Sequence, residues 1–308
     1  MIKALRLARI GLAVAALVAA LPALAGTEPA SPSCALAAQH IPPRAASAPT
    51  GAEFARQVAP LSERDRDAAI RDALLGGNLP PSLRTAVPIE LIGRVIDGVV
   101  TRVTLCVLPD YLAVGTARDP LLVPMGLDTA LAVADAFGFV LPTRRMVDAI
   151  YRQATVRLSP QPLPPGDQMR STGYYVRHNE MVQAQRSTAA ATPEALTAGH
   201  KKDLVISRQL WSTPGRVAIY GWHRGERAPI QPLSIVHGAR YADYSHGVRL
   251  VSTTAYVDGK PKSIFELMRD ERFAALLSDE GPLPGLPQAL RSLAGNGGST
   301  LAALRLGH

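Results

Sequence analysis

Histidine is the side chain whose charge changes nearest neutral pH, and this chain gathers most of its histidines in one region. Of seven in 308 residues, five lie between positions 178 and 246: His178, His200, His223, His237 and His246. The last four fall in three short strings. These are Gly199-His200-Lys201-Lys202-Asp203, Tyr220-Gly221-Trp222-His223, and His237-Gly238 running on to Asp243-Tyr244-Ser245-His246-Gly247. Histidines in this setting serve as general bases, proton shuttles or metal ligands. Each taken alone also has a structural reading. His223 and His246 could be strand or loop residues bonded to a carbonyl, and His200 a helix C-terminal residue favoured by the dipole.

Two chemistries draw on this set. Zinc in a catalytic site takes three protein ligands and keeps one position open. His200 and Asp203, with two of His223, His237 and His246, would supply such ligands. Asp243 or Glu226 would then move the proton from the metal-bound water. No His-Glu-x-x-His signature accompanies the set. The metal-free alternative makes Ser245 the nucleophile, with His223 or His237 as base and Asp203 or Asp243 orienting it. Adjacent His246 does not serve Ser245, because neighbouring side chains on a strand point to opposite faces. A Gly-x-Ser-x-Gly elbow is absent too. Trp222, Tyr220, Tyr241 and Tyr244 either line a substrate groove or belong to the core. Arg144-Arg145 at a helix start opposes the dipole, and reads as an anion contact or a solvated face. No pattern singles out a pair of carboxylates for glycosidase chemistry.

Thr213-Pro214-Gly215, Val236-His237-Gly238 and Ser245-His246-Gly247-Val248-Arg249-Leu250 together resemble the core of the L,D-transpeptidases of the YkuD type. That family carries a Thr-Pro-x-Gly element, an upstream His-Gly and a Ser-His-Gly-Cys-x-Arg catalytic run. The likeness spans about 40 of the 308 residues. The Cys of the family pattern is missing, since Val248 follows Gly247 directly. Without a thiolate there is no acyl-enzyme of the family's kind. The resemblance thus marks a shared sheet and pocket, a degenerate relative, or a chance match. It makes peptidoglycan the first substrate to consider. His237 and His246 are then base or ligand, Asp203 and Asp243 orient them, and Arg249 holds a substrate carboxylate.

The elements that must carry these residues are legible in outline. Ser62 opens a helix with Ala69, Ile70, Ala73 and Leu74 on one face, stopped by Gly76-Gly77. Strand-formers from Ile89 to Val123, broken at Asp97-Gly98 and Pro109-Asp110, predict consecutive antiparallel strands with an Asp-Gly hairpin. Helices follow near Asp128 to Phe137 and from Thr143, the second with Met146, Val147, Ile150 and Tyr151 on one face. Pro160 to Pro165 is a connector. Beyond it the pattern predicts a polar helix near Asn179 to Ser187 and a short helix at Thr192-Pro193. Four strand-like runs come next: Asp203–Leu210, Arg216–Trp222, Gln231–Val236 and Val248–Val257. Asp258-Gly259 turns the chain. A Ser263/Glu266 capping box starts a helix ending near Leu277, and one more helix lies after Pro282. The class expected is α+β, an antiparallel sheet with packed helices, in a single domain over 52–308 with subregions 52–158 and 166–308.

The N-terminus supplies an address. Lys3, Arg6 and Arg9 precede an apolar run from Ile10 to Leu24, and Ala23-Leu24-Ala25 gives a small-x-small cleavage pattern. The run is about 15 residues, short of the ~20 that span a membrane. Residues 1–25 are read as a cleavable signal peptide, which leaves no transmembrane anchor and places the mature chain in the periplasm or outside the cell. Removing three basic residues lowers the formal charge from +8 to +5. That suits an anionic wall polymer or an ordinary soluble surface. Scarce aromatics without interleaved basic runs give no support for nucleic-acid binding. Residues 26–51, rich in Ala, Pro and Ser, read as a flexible leader. In an oxidising compartment Cys34 and Cys106 are a candidate disulfide, the alternative being two free thiols.

The function expected is a hydrolase or transferase acting on an amide or ester bond of a cell-envelope polymer. Its site residues would be His237, His246, Asp243, Ser245 and His223, with Arg249, Trp222 and Tyr244 on the substrate. Zinc on His200, Asp203 and His223 is the cofactor option. The rival is a non-catalytic envelope protein that binds a wall polymer or a partner protein.

Overall fold

The computed structural model describes residues 34–293. Side-chain caps and turn glycines set most boundaries in its first half. Helix α1 (Gly51–Val58) opens on a capping box. Thr50 Oγ1 accepts the Glu53 N–H at 3.3 Å, and the Glu53 carboxylate accepts the Thr50 N–H at 2.8 Å. Helix α2 (Glu63–Leu75) starts on Ser62, whose hydroxyl accepts the Asp65 N–H at 3.1 Å. The expected hairpin follows as β1 (Val87–Arg94) and β2 (Val100–Val107), fully in register from Val87↔Val107 to Arg94↔Val100. Then come β3 (Ala113–Gly115), β4 (Pro120–Leu122), α3 (Leu127–Phe137), β5 (Phe139–Val140), α4 (Arg144–Gln153) behind its Thr143 cap, and β6 (Val156–Arg157).

The second half runs α5 (Thr172–Thr188), β7 (Thr197–Ala198), β8 (Lys202–Leu204), α6 (Gln209–Ser212), β9 (Ile219–His223) and β10 (Pro229–Ser234). It ends with β11 (His246–Gly247), β12 (Val251–Val257), β13 (Lys260–Ser263), α7 (Ile264–Arg269), α8 (Glu271–Leu277) and α9 (Leu286–Leu293).

Strand β12 ties the halves together. It lies between β2 and β13 in a sheet ordered β1-β2-β12-β13, and its first residues also pair with β5. A second sheet is ordered β10-β9-β8-β11, with β11 parallel to β8 and the other pairs antiparallel. One continuous apolar core runs from Ala38 through Ile89, Leu105, Val147 and Leu204 to Val251 and Leu286. The fold is therefore α+β with a shared core, as expected, and the Pro-rich connector crosses one globule.

Several local expectations differ from the structure. The leader is packed from Cys34 onward. Cys34 is bonded to Cys106, Ala38 and Ile41 are buried, and the Arg44 Nε–H donates to Asn78 Oδ1 at 2.9 Å. The Cys34–Cys106 bridge is the expected disulfide, whereas the packing around it was not legible because Ala and Pro show no period when they pack as irregular chain. Thr192-Pro193 forms a turn rather than a helix, and α5 starts earlier than its polar composition suggested. Ser263 makes no side-chain cap bond, and Asp270 breaks the expected single helix into α7 and α8. The strand expected over Asp203–Leu210 stops at Leu204; Ser207 then starts a turn that leads into α6.

The free side of β1 has a plug. Gln153, the last residue of α4, accepts the Glu90 N–H and donates to the Glu90 carbonyl, both at 2.8 Å. The signal-peptide segment, residues 1–25, lies outside the described residues. Among those described, no helix is long and apolar enough to cross a membrane.

Candidate functional site

The second sheet brings the three histidine strings together. Lys202 pairs with His246 and Asp203 with Gly247 across the parallel β8–β11 contact. On its other side β8 sets Lys202 against Gly221 and Asp203 against Tyr220. Gly247 is required by this approach, because a Cβ there would lie 2.6 Å from the Tyr111 ring and 2.8 Å from Lys201 Cβ. The Thr213–Gly215 and His237-Gly238 strings are also neighbours. The Val217 N–H donates to the His237 carbonyl at 3.1 Å, and the Ala239 N–H to the Gly215 carbonyl at 2.8 Å.

Asp243 is the hub of the first cluster. Its Oδ1 accepts the Ser245 N–H at 2.8 Å and the Ser245 hydroxyl at 2.5 Å, and its Oδ2 accepts the Tyr241 hydroxyl at 3.2 Å. His246 Nε2 lies 3.9 Å from that same Oδ2. The His237 ring stacks on Tyr241 with centroids 4.1 Å apart, and sits 5.9 Å from the His246 ring. Asp243, Ser245 and His246 are buried, whereas His237 and Tyr241 are half-buried. Burial works to raise the Asp243 carboxyl, but His246, the Ser245 bonds and nearby Lys202 outweigh it, so the group is held ionised. Burial pushes His246 down to about 4 against the pull of Asp243, which leaves it neutral. Burial also lowers His237, again opposed by Asp243.

Tyr241 connects this hub to a cleft of about 800 Å³. Its lining includes Trp211, Pro214, Gly215, Gly238, Arg240 and Tyr241, with Asp128 and with Gln288 of α9.

A second cluster is interior. Asp110 forms a charge pair with Arg186, and its Oδ1 lies 3.3 Å from His200 Nε2 and 3.9 Å from Arg249 Nη2. Arg249 is fully buried over the Tyr111 ring and donates to the Leu108 carbonyl at 2.9 Å and the Thr197 carbonyl at 2.5 Å. The Tyr111 hydroxyl donates to Asp203 at 2.9 Å. Burial raises the Asp203 carboxyl to about 6, against Arg249 and the Tyr111 bond. Lys201, also buried, donates to the Tyr244 carbonyl at 2.5 Å, and burial brings it down to about 7.

The third cluster forms where β9 is strained. Gly221 and Trp222 have φ of 108° and 54°, the second a left-handed value that a bulky residue rarely adopts. The kink turns Trp222 inward beside Tyr244 and sets His223 Nε2 3.1 Å from Asp148. The Tyr220 hydroxyl donates to the same Asp148 oxygen at 2.9 Å, and Tyr151 stacks on His223 at 4.6 Å. Asp148 is half-exposed while His223 is buried.

The candidates thus divide. His237, Asp243, Ser245 and His246 come together. His200, Asp203 and His223 each take a different partner, and among the described residues no group of three or more His, Cys, Asp or Glu is placed to hold a metal ion. Arg249 has its guanidinium on backbone carbonyls. Trp222 is buried, and so is Tyr244, whose hydroxyl bonds both the N–H and the carbonyl of Leu163. Glu226 pairs with Arg157 at 3.5 Å, among the third cluster's neighbours. Sequence reasoning passed over Asp110, Asp148, Tyr111 and Trp211. By sequence Pro109-Asp110 reads only as a turn, and Trp211 sits next to the Thr213-Pro214-Gly215 string. No protein-family model matches the chain, and comparison with curated proteins and with solved structures gives no match.

Proposed function

We propose that the protein is a hydrolase or transferase acting on an amide or ester bond of a cell-envelope polymer, peptidoglycan first. The observation that carries this reading is the convergence of His237, Asp243 and His246 on Tyr241, which itself lines the cleft. His237 is the proton-transferring group. It is neutral at pH 7 and half-exposed, and it is stacked on a tyrosine that is itself bonded to an ionised carboxylate. In this role it takes a proton from an attacking water or hydroxyl and returns it to the leaving group. Asp243 fixes Tyr241 through its hydroxyl and stabilises the charge that develops on His237, with the neutral His246 ring packed against Tyr241. Ser245 is a positioning residue, because its hydroxyl is already donated to Asp243.

A second reading, a non-catalytic protein that binds a wall polymer, is favoured by the burial of Ser245 and His246. Incubating the mature protein with intact peptidoglycan and weighing the released muropeptides separates the two. The enzyme reading expects new products that vanish with His237→Ala. Retention of the protein on the polymer with unchanged muropeptides would replace it with the binding reading.

A further inference from the structure

We infer that the cleft receives a sugar ring, stacked on Trp211, with Asp128, Arg240 and Gln288 taking its hydroxyl and acetamido groups. This names the ligand class of the site proposed above, and rests on that reading only for the choice of cleft.

Of the two tryptophans in the chain, Trp222 is turned into the interior, and Trp211 is the one on the cleft wall. Trp211 stands on the short helix α6, with one side on the main core and the rest half-exposed. A flat indole against mixed polar surroundings matches a pyranose, whose C–H face is apolar and whose rim carries hydroxyls. The rim partners are chemically mixed as well. Asp128 accepts hydrogen bonds, Arg240 donates them, and Gln288 does both. Asp128 is half-buried; burial and the neighbouring Asp67 raise its carboxyl, while Arg240 pulls it down. A peptide that bound through its carboxylate would call for a surplus of cationic groups, and these three residues supply one cation and one anion. A volume near 800 Å³ is ample for a disaccharide-sized ligand. The cleft meets the first cluster at Tyr241, the ring on which His237 stacks.

The test is a fluorescence titration of the whole mature protein with N-acetylglucosamine oligomers and, separately, with the free stem peptide of peptidoglycan. Trp211 should report the sugar by a saturable change in emission, while buried Trp222 stays constant as an internal check on folding. Arg240→Ala and Gln288→Ala, both at exposed positions, should weaken the sugar by about tenfold or less. Read by isothermal titration calorimetry, because these two variants lack the reporting indole, Trp211→Phe should keep weakened binding and Trp211→Ala should weaken it by about tenfold or more, the usual worth of one stacked aromatic. Saturation by the stem peptide with none by the oligomers would overturn the inference, and so would sugar binding that Trp211→Ala leaves intact. Sugar binding without any altered muropeptide would sink the enzyme reading alone. Altered muropeptides without sugar binding would sink this inference alone.

Discussion

The Ser245 hydroxyl and Asp243 Oδ1 are 2.5 Å apart, with the hydroxyl donating, so Ser245 is held as a brace for the carboxylate. A serine nucleophile would instead give its proton to a histidine nitrogen. Ser245→Ala is therefore expected to keep polymer cleavage within about an order of magnitude of wild type. It should lower stability by about 2 kcal/mol, the worth of a buried hydrogen bond to a charged group. Urea unfolding reads the second effect and muropeptide release the first. A variant that is fully folded and fully inactive would restore Ser245 as nucleophile.

Activity should depend on pH through His237. Its protonation lies below the ordinary histidine value, because burial disfavours the charged ring. As a base it works when neutral, so kcat/KM is expected to fall on acidification with a midpoint below pH 6.5. An acid limb centred above pH 7, or one unchanged by His237→Gln in a variant that keeps measurable activity, would assign the base elsewhere.

The pH dependence of stability carries a second signature. His246 is 6.5 as an ordinary histidine and about 4 when folded, so the unfolded chain takes up the proton first as pH falls. Stability from this group is complete above pH 6.5 and is lost progressively down to about pH 4, by about 3 kcal/mol in all. His246→Gln should flatten the wild-type curve over that window, measured by denaturant unfolding between pH 7 and 4. Parallel curves for the two proteins would show that folding leaves the His246 protonation equilibrium where it is in the unfolded chain.

The hairpin β1–β2 and the caps at Ser62 and Thr143 were legible in the sequence because each depends on a few adjacent residues. Gathering of the histidine strings was legible only as proximity along the chain. What the sequence left hidden is partnership across distance. Asp110 reaches His200, Asp148 reaches His223 and Tyr111 reaches Asp203 from the other half of the chain. Those partners engage the expected zinc ligands one by one, which no local spacing reports. Trp222 shows the same limit. Its place in a strand-like run predicts a core aromatic before a groove, and the positive φ that turns it inward is a property of the folded chain.

The bridge from Cys34 to Cys106 closes a loop with a sequence separation of 72 residues and anchors the irregular segment before α1 to β2. Replacing both cysteines by alanine should reduce stability by about 4 kcal/mol in the chain-entropy account. Chemical denaturation of the double variant beside wild type measures it. A loss below about 1 kcal/mol would mean that packing of Ala38 and Ile41 alone holds the segment.

The Gln153 amide on Glu90 has a meaning for the protein at high concentration. An unpaired outer strand is a template on which another chain can lay itself and start a fibril. Here the side-chain amide occupies the Glu90 main-chain groups as a further strand would. Pro88, two residues back and facing the same way, has no N–H to offer. Only Ile92 and Arg94 remain on that side before the hairpin turns, too short a run to seed growth. The molecule carries its own terminator against polymerising through this edge.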